Sequence, residues 1–191
     1  MGTSVKVLIL GGSGIIGQHL RLCVPDGINA TFFNRCGDLL HEPLDLTDSA
    51  GISERLAVYA PQVIVNLAGQ NNPDTVECDP AAARAVNVLV AQEIARFCAA
   101  SHSRHVYVSS QAVFSGETPP YAAYAPVKPV NTYGYQKAES ESLVRAACPL
   151  ATIVRPTFVL GIRPLPHVGR ANPVEQMLAG QPRQVADRWF S

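Results

Sequence analysis

Six residues, "VKVLIL" (Val5–Leu10), run straight into "GGSG" and then "IIGQHL". A short β-branched apolar run, a glycine cluster and a helical pattern, in that order, predict a strand, a tight turn and a helix (Ile15–Leu22). In that context backbone N–H groups and the positive end of the helix can receive a pyrophosphate. The glycines admit two spacings. Gly12, Gly14 and Gly17 spell G-x-G-x-x-G, whereas Gly11, Gly14 and Gly17 spell G-x-x-G-x-x-G. The loop alone leaves both open.

Short apolar runs then alternate with helical patterns. "ATFFN" (Ala30–Asn34), "QVIVNLA" (Gln62–Ala68), "HVYVSS" (His105–Ser110) and "LATIVR" (Leu150–Arg155) read as strands apolar on both faces. Parallel sheets covered by helices need such runs. Helices are predicted over Ser49–Tyr59, Pro80–Ala100 and Tyr133–Ala147. In the second of these, Ala81, Ala85, Val88, Leu89, Gln92 and Ala95 fall on neighbouring faces at helical spacing. The fold class that follows is α/β, a doubly wound parallel sheet. "SGETPPYAAYAPVKPV" (Ser115–Val130) breaks the rhythm with four prolines and reads as a long loop after the His105–Ser110 strand, where ligands of such folds sit. From Gly161 a loop precedes "NPVEQMLAGQP", a helix capped by Asn172 with Pro173 in its first turn and Gly180 past its end.

Composition excludes several function classes. Lys+Arg and Asp+Glu are 15 each, so no bulk charge favours nucleic acid or a membrane surface. Five scattered cysteines form no C-x-x-C pair, as expected of incidental thiols in a reducing compartment. No basic segment precedes a long apolar run, so a soluble cytoplasmic protein is expected. The five histidines lack metal-ligand spacing, and His102 and His105, flanking Arg104, are expected at the surface. No metal site is expected.

"YGYQK" places Tyr133 and Lys137 four residues apart, on one helical face. A phenol with its ordinary pKa of about 10 is a poor proton donor or acceptor near neutrality, and a neighbouring ammonium can lower that value. Tyr135, two residues from Lys137, points elsewhere. Ser109 and Ser110 end a strand, where a hydroxyl can hold a substrate oxygen.

With "GGSGIIG", the blocks "LDLTD", "APQVIVNLAG", "VECDPAAARAVNV", "VYVSSQAVFSG", "PVNTYGYQKAESE" and "IVRPTFVLG" resemble the extended short-chain dehydrogenase/reductase family. Within it, the likeness is to the dTDP-4-dehydrorhamnose reductase-like branch, and it runs across nearly the whole chain. The resemblance implies a Rossmann fold and selects Gly11, Gly14 and Gly17 as the matched glycines. It implies catalytic roles for Ser110, for Tyr133 as general acid, and for Lys137, which also binds the nicotinamide ribose. It implies a cofactor site formed by Gly11, Ser13, Gly14, Ile15, Ile16, Gly17, Asn34 and Arg35. Asp45 and Leu46 would lie beside the adenine. Leu67, Ala68 and Gly69 would line the cofactor at a strand end, with Asn87 near the active site. Arg155 and Pro156 would open the segment passing the nicotinamide, and Tyr133 and Lys137 complete the cofactor contacts.

NAD-preferring sites usually place a carboxylate at the end of the second strand, but this chain has Asn34-Arg35 there. An arginine suits a 2′-phosphate, so NADP is expected ahead of NAD. The resemblance implies a reductase of a keto group on a nucleotide-linked sugar or related small molecule, and leaves a homodimer open. Where the branch commonly carries aspartates, this chain has Gln111 and Ser115, so substrate is less constrained than reaction type. A sugar-nucleotide epimerase or dehydratase uses the same triad, but Gln111-Ala112 replaces the Asp-Glu pair usual in dehydratases. Some relatives keep the cofactor site as regulatory subunits, as in the β-subunit of methionine adenosyltransferase. Residues 1–160 are expected to form the NAD(P)-binding domain. Residues 161–191 should begin a small C-terminal substrate lobe, incomplete at "VADRWFS".

Overall fold

The computed structural model describes residues 4–47, 51–165 and 171–180. Six parallel strands form one sheet in the order β3-β2-β1-β4-β5-β6. They are β1 (Val5–Leu10), β2 (Ile28–Asn34), β3 (Glu42–Pro43), β4 (Val63–Asn66), β5 (Arg104–Val108) and β6 (Thr152–Val154). The order reverses between β1 and β4, the switch point beyond which ligands of doubly wound sheets bind. Helices α1 (Ile15–Leu22), α2 (Ile52–Tyr59), α3 (Pro73–Cys78), α4 (Pro80–Arg84), α5 (Val90–Ser101), α6 (Thr132–Ala147) and α7 (Pro173–Leu178) complete the described fold. The larger core packs Leu8, Leu10, Phe33, Ile64 and Tyr107 of the strands against Leu56, Ile94, Cys98 and Val144 of the helices. Val7, Ile9 and Phe32 point to the opposite side and form a smaller cluster, as strand alternation requires.

Several sequence expectations change. The Pro80–Ala100 helix is interrupted by a π-helical turn, Ala85–Leu89, between α4 and α5. Wider hydrogen-bonded turns shift the facing of later residues relative to a 3.6 period, so Leu89 is 41% exposed while Ala91, Ile94 and Ala95 are buried. α3 and the two-residue β3 were not expected; each is too short to show a period. The strand expected over Leu150–Arg155 contracts to β6, an edge strand with exposed positions. His105 is the clearest correction. It is 1% exposed, because alternation along β5 turns His105 and Tyr107 into the core together. His102 ends α5 in a left-handed conformation (φ 56°).

α7 carries the expected Asn172 cap, doubled by Glu175 reaching back to the Asn172 backbone. Arg163 pairs with Glu175, tying the helix to the preceding segment. The first residues of the expected Ser49–Tyr59 helix, His167 and the "VADRWFS" tail lie outside the described residues. Among the described residues no helix is long and apolar enough to cross a membrane, and no cluster could hold a metal ion.

Candidate active site

At the β1 end the glycine loop meets neighbouring backbone directly. Gly11 has φ +83°, and a Cβ there would sit 2.9 Å from Ala68 N and from Leu67 C. A side chain at Gly17 would lie 2.6 Å from Gly12 Cα, so α1 rests on the loop only because both positions are bare. Gly12 is crowded by the His41 and Phe32 side chains. Both glycine spacings therefore contain close-packed positions. Gly14, by contrast, caps α1 with room around it, and no side chain caps that helix and no acidic residue occupies its first turn. α3, α4, α6 and α7 all have Asn or Asp caps. The α1 backbone N–H groups near Ile15 and Ile16 are thus left as donors without a side-chain partner. Gln18, buried beneath the loop, donates to the Ser13 carbonyl (3.1 Å) and accepts from Leu165 N (3.0 Å).

Beyond β2, Asn34 accepts from Gly37 N (2.5 Å) and donates to Asp38 (2.7 Å). Arg35 extends into solvent, its side chain 71% exposed, and its Nε lies 3.3 Å from Asp45 Oδ2. Hydrogen bonds from Thr47, together with Arg35, hold the Asp45 carboxyl below its ordinary value. Leu46 beside it is buried.

Two strands away from β1, along the same carboxyl edge of the sheet, the site is built from side chains. Ser110 ends the extended segment after β5 and accepts from Ala112 N (3.1 Å), opening a short 3₁₀ turn, Gln111–Val113. α6 begins against that turn: a Cβ on Gly134 would meet the Ala112 carbonyl oxygen at 2.2 Å. That close approach brings Tyr133 toward Ser110. Burial pushes the Tyr133 phenol above its ordinary value, and the neighbouring Ser110 hydroxyl opposes this. The spacing argument expected Lys137 to lower Tyr133; desolvation prevails instead. Lys137 Nζ is 6.0 Å from the Tyr133 ring centre. It donates to the Val108 carbonyl (3.0 Å) and the Tyr107 hydroxyl (3.3 Å). Burial lowers Lys137 to about 8, and the Glu141 charge pulls it back up. Tyr135 is exposed, as its spacing required.

Asn87 lies in the π-helical turn. Its Oδ1 accepts from Gln70 N (2.8 Å), and its Nδ2 donates to Gln70 O (3.0 Å) and Gln136 Oε1 (2.9 Å). It abuts Gly69, where a Cβ would be 2.8 Å from Asn87 Oδ1 and 3.8 Å from Lys137 Nζ. Gly69, Asn87 and Lys137 therefore converge. Pro156 accepts from Gln111 N (3.0 Å), fixing the start of the segment after β6 to the 3₁₀ turn. Arg155 pairs with the buried Glu141 (2.5 Å), donates to the Ala123 carbonyl (3.1 Å) and stacks over Phe114 (5.0 Å). Phe114 in turn stacks on Tyr121 (4.3 Å), so the proline-rich loop is held to α6. Arg35 and Tyr133 are not brought together. Arg35 follows β2, whereas Tyr133 on α6 stands beside Ser110 beyond β5, and those two strands are three spacings apart, about 14 Å. Tyr107, Glu141, Gln70 and Gln136 went unnoticed in the sequence, although β5 alternation was enough to turn Tyr107 inward.

The family model described as the RmlD substrate binding domain matches residues 5–183. A probable dTDP-4,6-dihydroxy-2-methyloxan-3-one 4-ketoreductase of Streptomyces antibioticus is 33% identical over 162 residues, 82% of this chain and 52% of that protein. Methionine adenosyltransferase 2 subunit beta of Xenopus tropicalis is 32% identical over 143 residues, 73% of this chain and 42% of its own length. The chain spans about half the length of the curated relatives it matches. A dTDP-4-dehydrorhamnose reductase from Bacillus anthracis, solved in complex with NADP, shares the fold with a TM-score of 0.74. That likeness is at 24% identity and covers 81% of this chain and 54% of the reductase.

Proposed function

The chain belongs to the RmlD substrate binding domain family, and from that premise we propose an NADPH-dependent reductase of a keto group on a nucleotide-linked sugar. The observation that carries this reading is the meeting of Ser110, Tyr133 and Lys137 beyond β5, on the same carboxyl edge of the sheet as the bare glycine loop after β1. The residues present fit a dinucleotide: the uncapped α1 N-terminus suits a pyrophosphate, and the interval to Lys137 suits an extended ligand. Nicotinamide would supply the hydride when bound. Ser110 would hold the carbonyl oxygen and Tyr133 would deliver its proton. The Lys137 ammonium would bind the ribose and favour return of Tyr133 through its phenolate. Arg35 would turn from Asp45 to a 2′-phosphate, which favours NADP over NAD. In this reading residues 1–160 hold the cofactor and residues 161–191 begin the substrate-binding region.

The test is NADPH oxidation by the native full-length protein with dTDP-linked 4-keto sugars. Turnover supports the reading; tight NADPH binding without turnover on any keto sugar overturns it. The second outcome would favour a regulatory subunit, a reading supported by the 32% identity to methionine adenosyltransferase 2 subunit beta.

A further inference from the structure

Tyr107 is wholly buried in the larger core, 0% exposed, yet its hydroxyl is not idle. It accepts from Lys137 Nζ at 3.3 Å. Ser140 Oγ lies 2.7 Å from both the Asn87 and the Gln136 carbonyls and can donate its one proton to either. An ammonium has three donors. Two are taken by Tyr107 and the Val108 carbonyl, which leaves one for the side on which Gly69 stands.

We infer that Tyr107 is a positioning residue: its hydroxyl and the Val108 carbonyl hold the Lys137 ammonium and direct its remaining N–H toward the cofactor side of the site. The part in catalysis rests on the reductase reading above; the grip on Lys137 does not. A plain core role would call for a phenylalanine, since burying an unpartnered hydroxyl is costly. The charged and titratable groups facing Lys137 are Tyr133 and Glu141 of α6 and Tyr107 of β5, with Arg155 after β6 pairing Glu141. Glu141 supplies charge from a distance, whereas Tyr107 touches the ammonium.

A sample labelled at the lysine ε-carbons gives one resonance for each lysine, Lys6, Lys128 and Lys137 of this chain among them. Lys137 is assigned by its loss in Lys137→Met. Tyr107→Phe should lower the pH midpoint of the Lys137 resonance by about half to one unit, because the ammonium loses an acceptor that its neutral form needs less. Ser140→Ala, which removes a nearby buried hydroxyl that bonds backbone carbonyls and not Lys137, should leave the midpoint nearly unchanged. The alkaline limb of NADPH oxidation should move with the midpoint. An unchanged midpoint in folded Tyr107→Phe, or an equal shift in Ser140→Ala, overturns the grip. A moved midpoint with an unmoved rate profile overturns the part in catalysis. Absence of turnover in the wild type overturns the reductase reading and with it that part, while the midpoint still decides the grip.

Discussion

Around Gly11, Gly14 and Gly17 the β1 end of the sheet works by having no side chains: loop, α1 and the end of β4 touch backbone to backbone. Around Ser110, Tyr133 and Lys137 the β5 end works by having many, with Tyr107, Ser140, Glu141 and Arg155 packed behind them. The first arrangement exposes helix N–H groups to a ligand at little electrostatic cost. The second forces a lysine charge into the core, and burial there lowers it to about 8. Binding geometry and proton chemistry thus rest on different physics, and the two ends should respond differently to substitution.

The largest expected effect is at Lys137. Lys137→Met should cut turnover by about 10²–10⁴-fold and yet stabilise the fold by about 1–2 kcal/mol at pH 7. The folded ammonium titrates near pH 8 and the unfolded one near 10.5. Below pH 8 both states are charged and burial costs its full amount; the cost eases as pH rises through that window. Urea unfolding at pH 7 and pH 10 measures this, with a smaller gain at pH 10. A destabilised variant at pH 7 would show that the lysine network supports the fold rather than straining it.

His105 extends the contrast into the same strand. Burial lowers it to about 4 from an ordinary value near 6.5, and neither ring nitrogen has a hydrogen-bond partner among the described residues. Between those values the unfolded chain takes up a proton that the folded chain refuses. Stability should therefore fall by about 3 kcal/mol as pH drops from 6.5 to 4. His105→Leu should flatten that part of the stability profile. An unchanged slope would place the acid sensitivity elsewhere.

At the glycine end, Gly17→Ala should cost about 1–3 kcal/mol, since its methyl meets backbone that cannot swing aside. Thermal unfolding and NADPH titration should both report the loss. Retained affinity with lowered stability would separate the packing of α1 from its N–H groups. Arg35→Ala should have the smallest effect. It should weaken NADPH by about 1.5 kcal/mol and leave NADH nearly unchanged, because the side chain is exposed and its ion pair with Asp45 lies at the surface. Equal losses for both cofactors would remove Arg35 from 2′-phosphate recognition.

Legibility in the sequence followed the same division. The glycine end was readable because its signal is local: strand, glycines and α1 are contiguous, and α1 begins and ends where the pattern placed it. The start of α6 was readable within one residue, since Asn131 caps it and Tyr133 and Lys137 keep their spacing. The Lys137 surroundings were hidden because the Tyr107 hydroxyl and the Val108 carbonyl reach it from β5, distant in sequence from α6. His105 was misread from its charged neighbour Arg104, although pleat alternation along β5 decides its side. The π turn at Asn87 had no signature at all, because its residues suit an ordinary helix equally well.

The division between the two ends is tested most directly at Tyr133, in one pair of measurements. NADPH is titrated into wild type and Tyr133→Phe, and its oxidation is then followed with a dTDP-linked 4-keto sugar. Affinity within about twofold and turnover reduced about 10²–10⁴-fold is the predicted result, because the proton donor is lost while the glycine end is untouched. Turnover within a few-fold of wild type, or a parallel collapse of NADPH affinity, would contradict it.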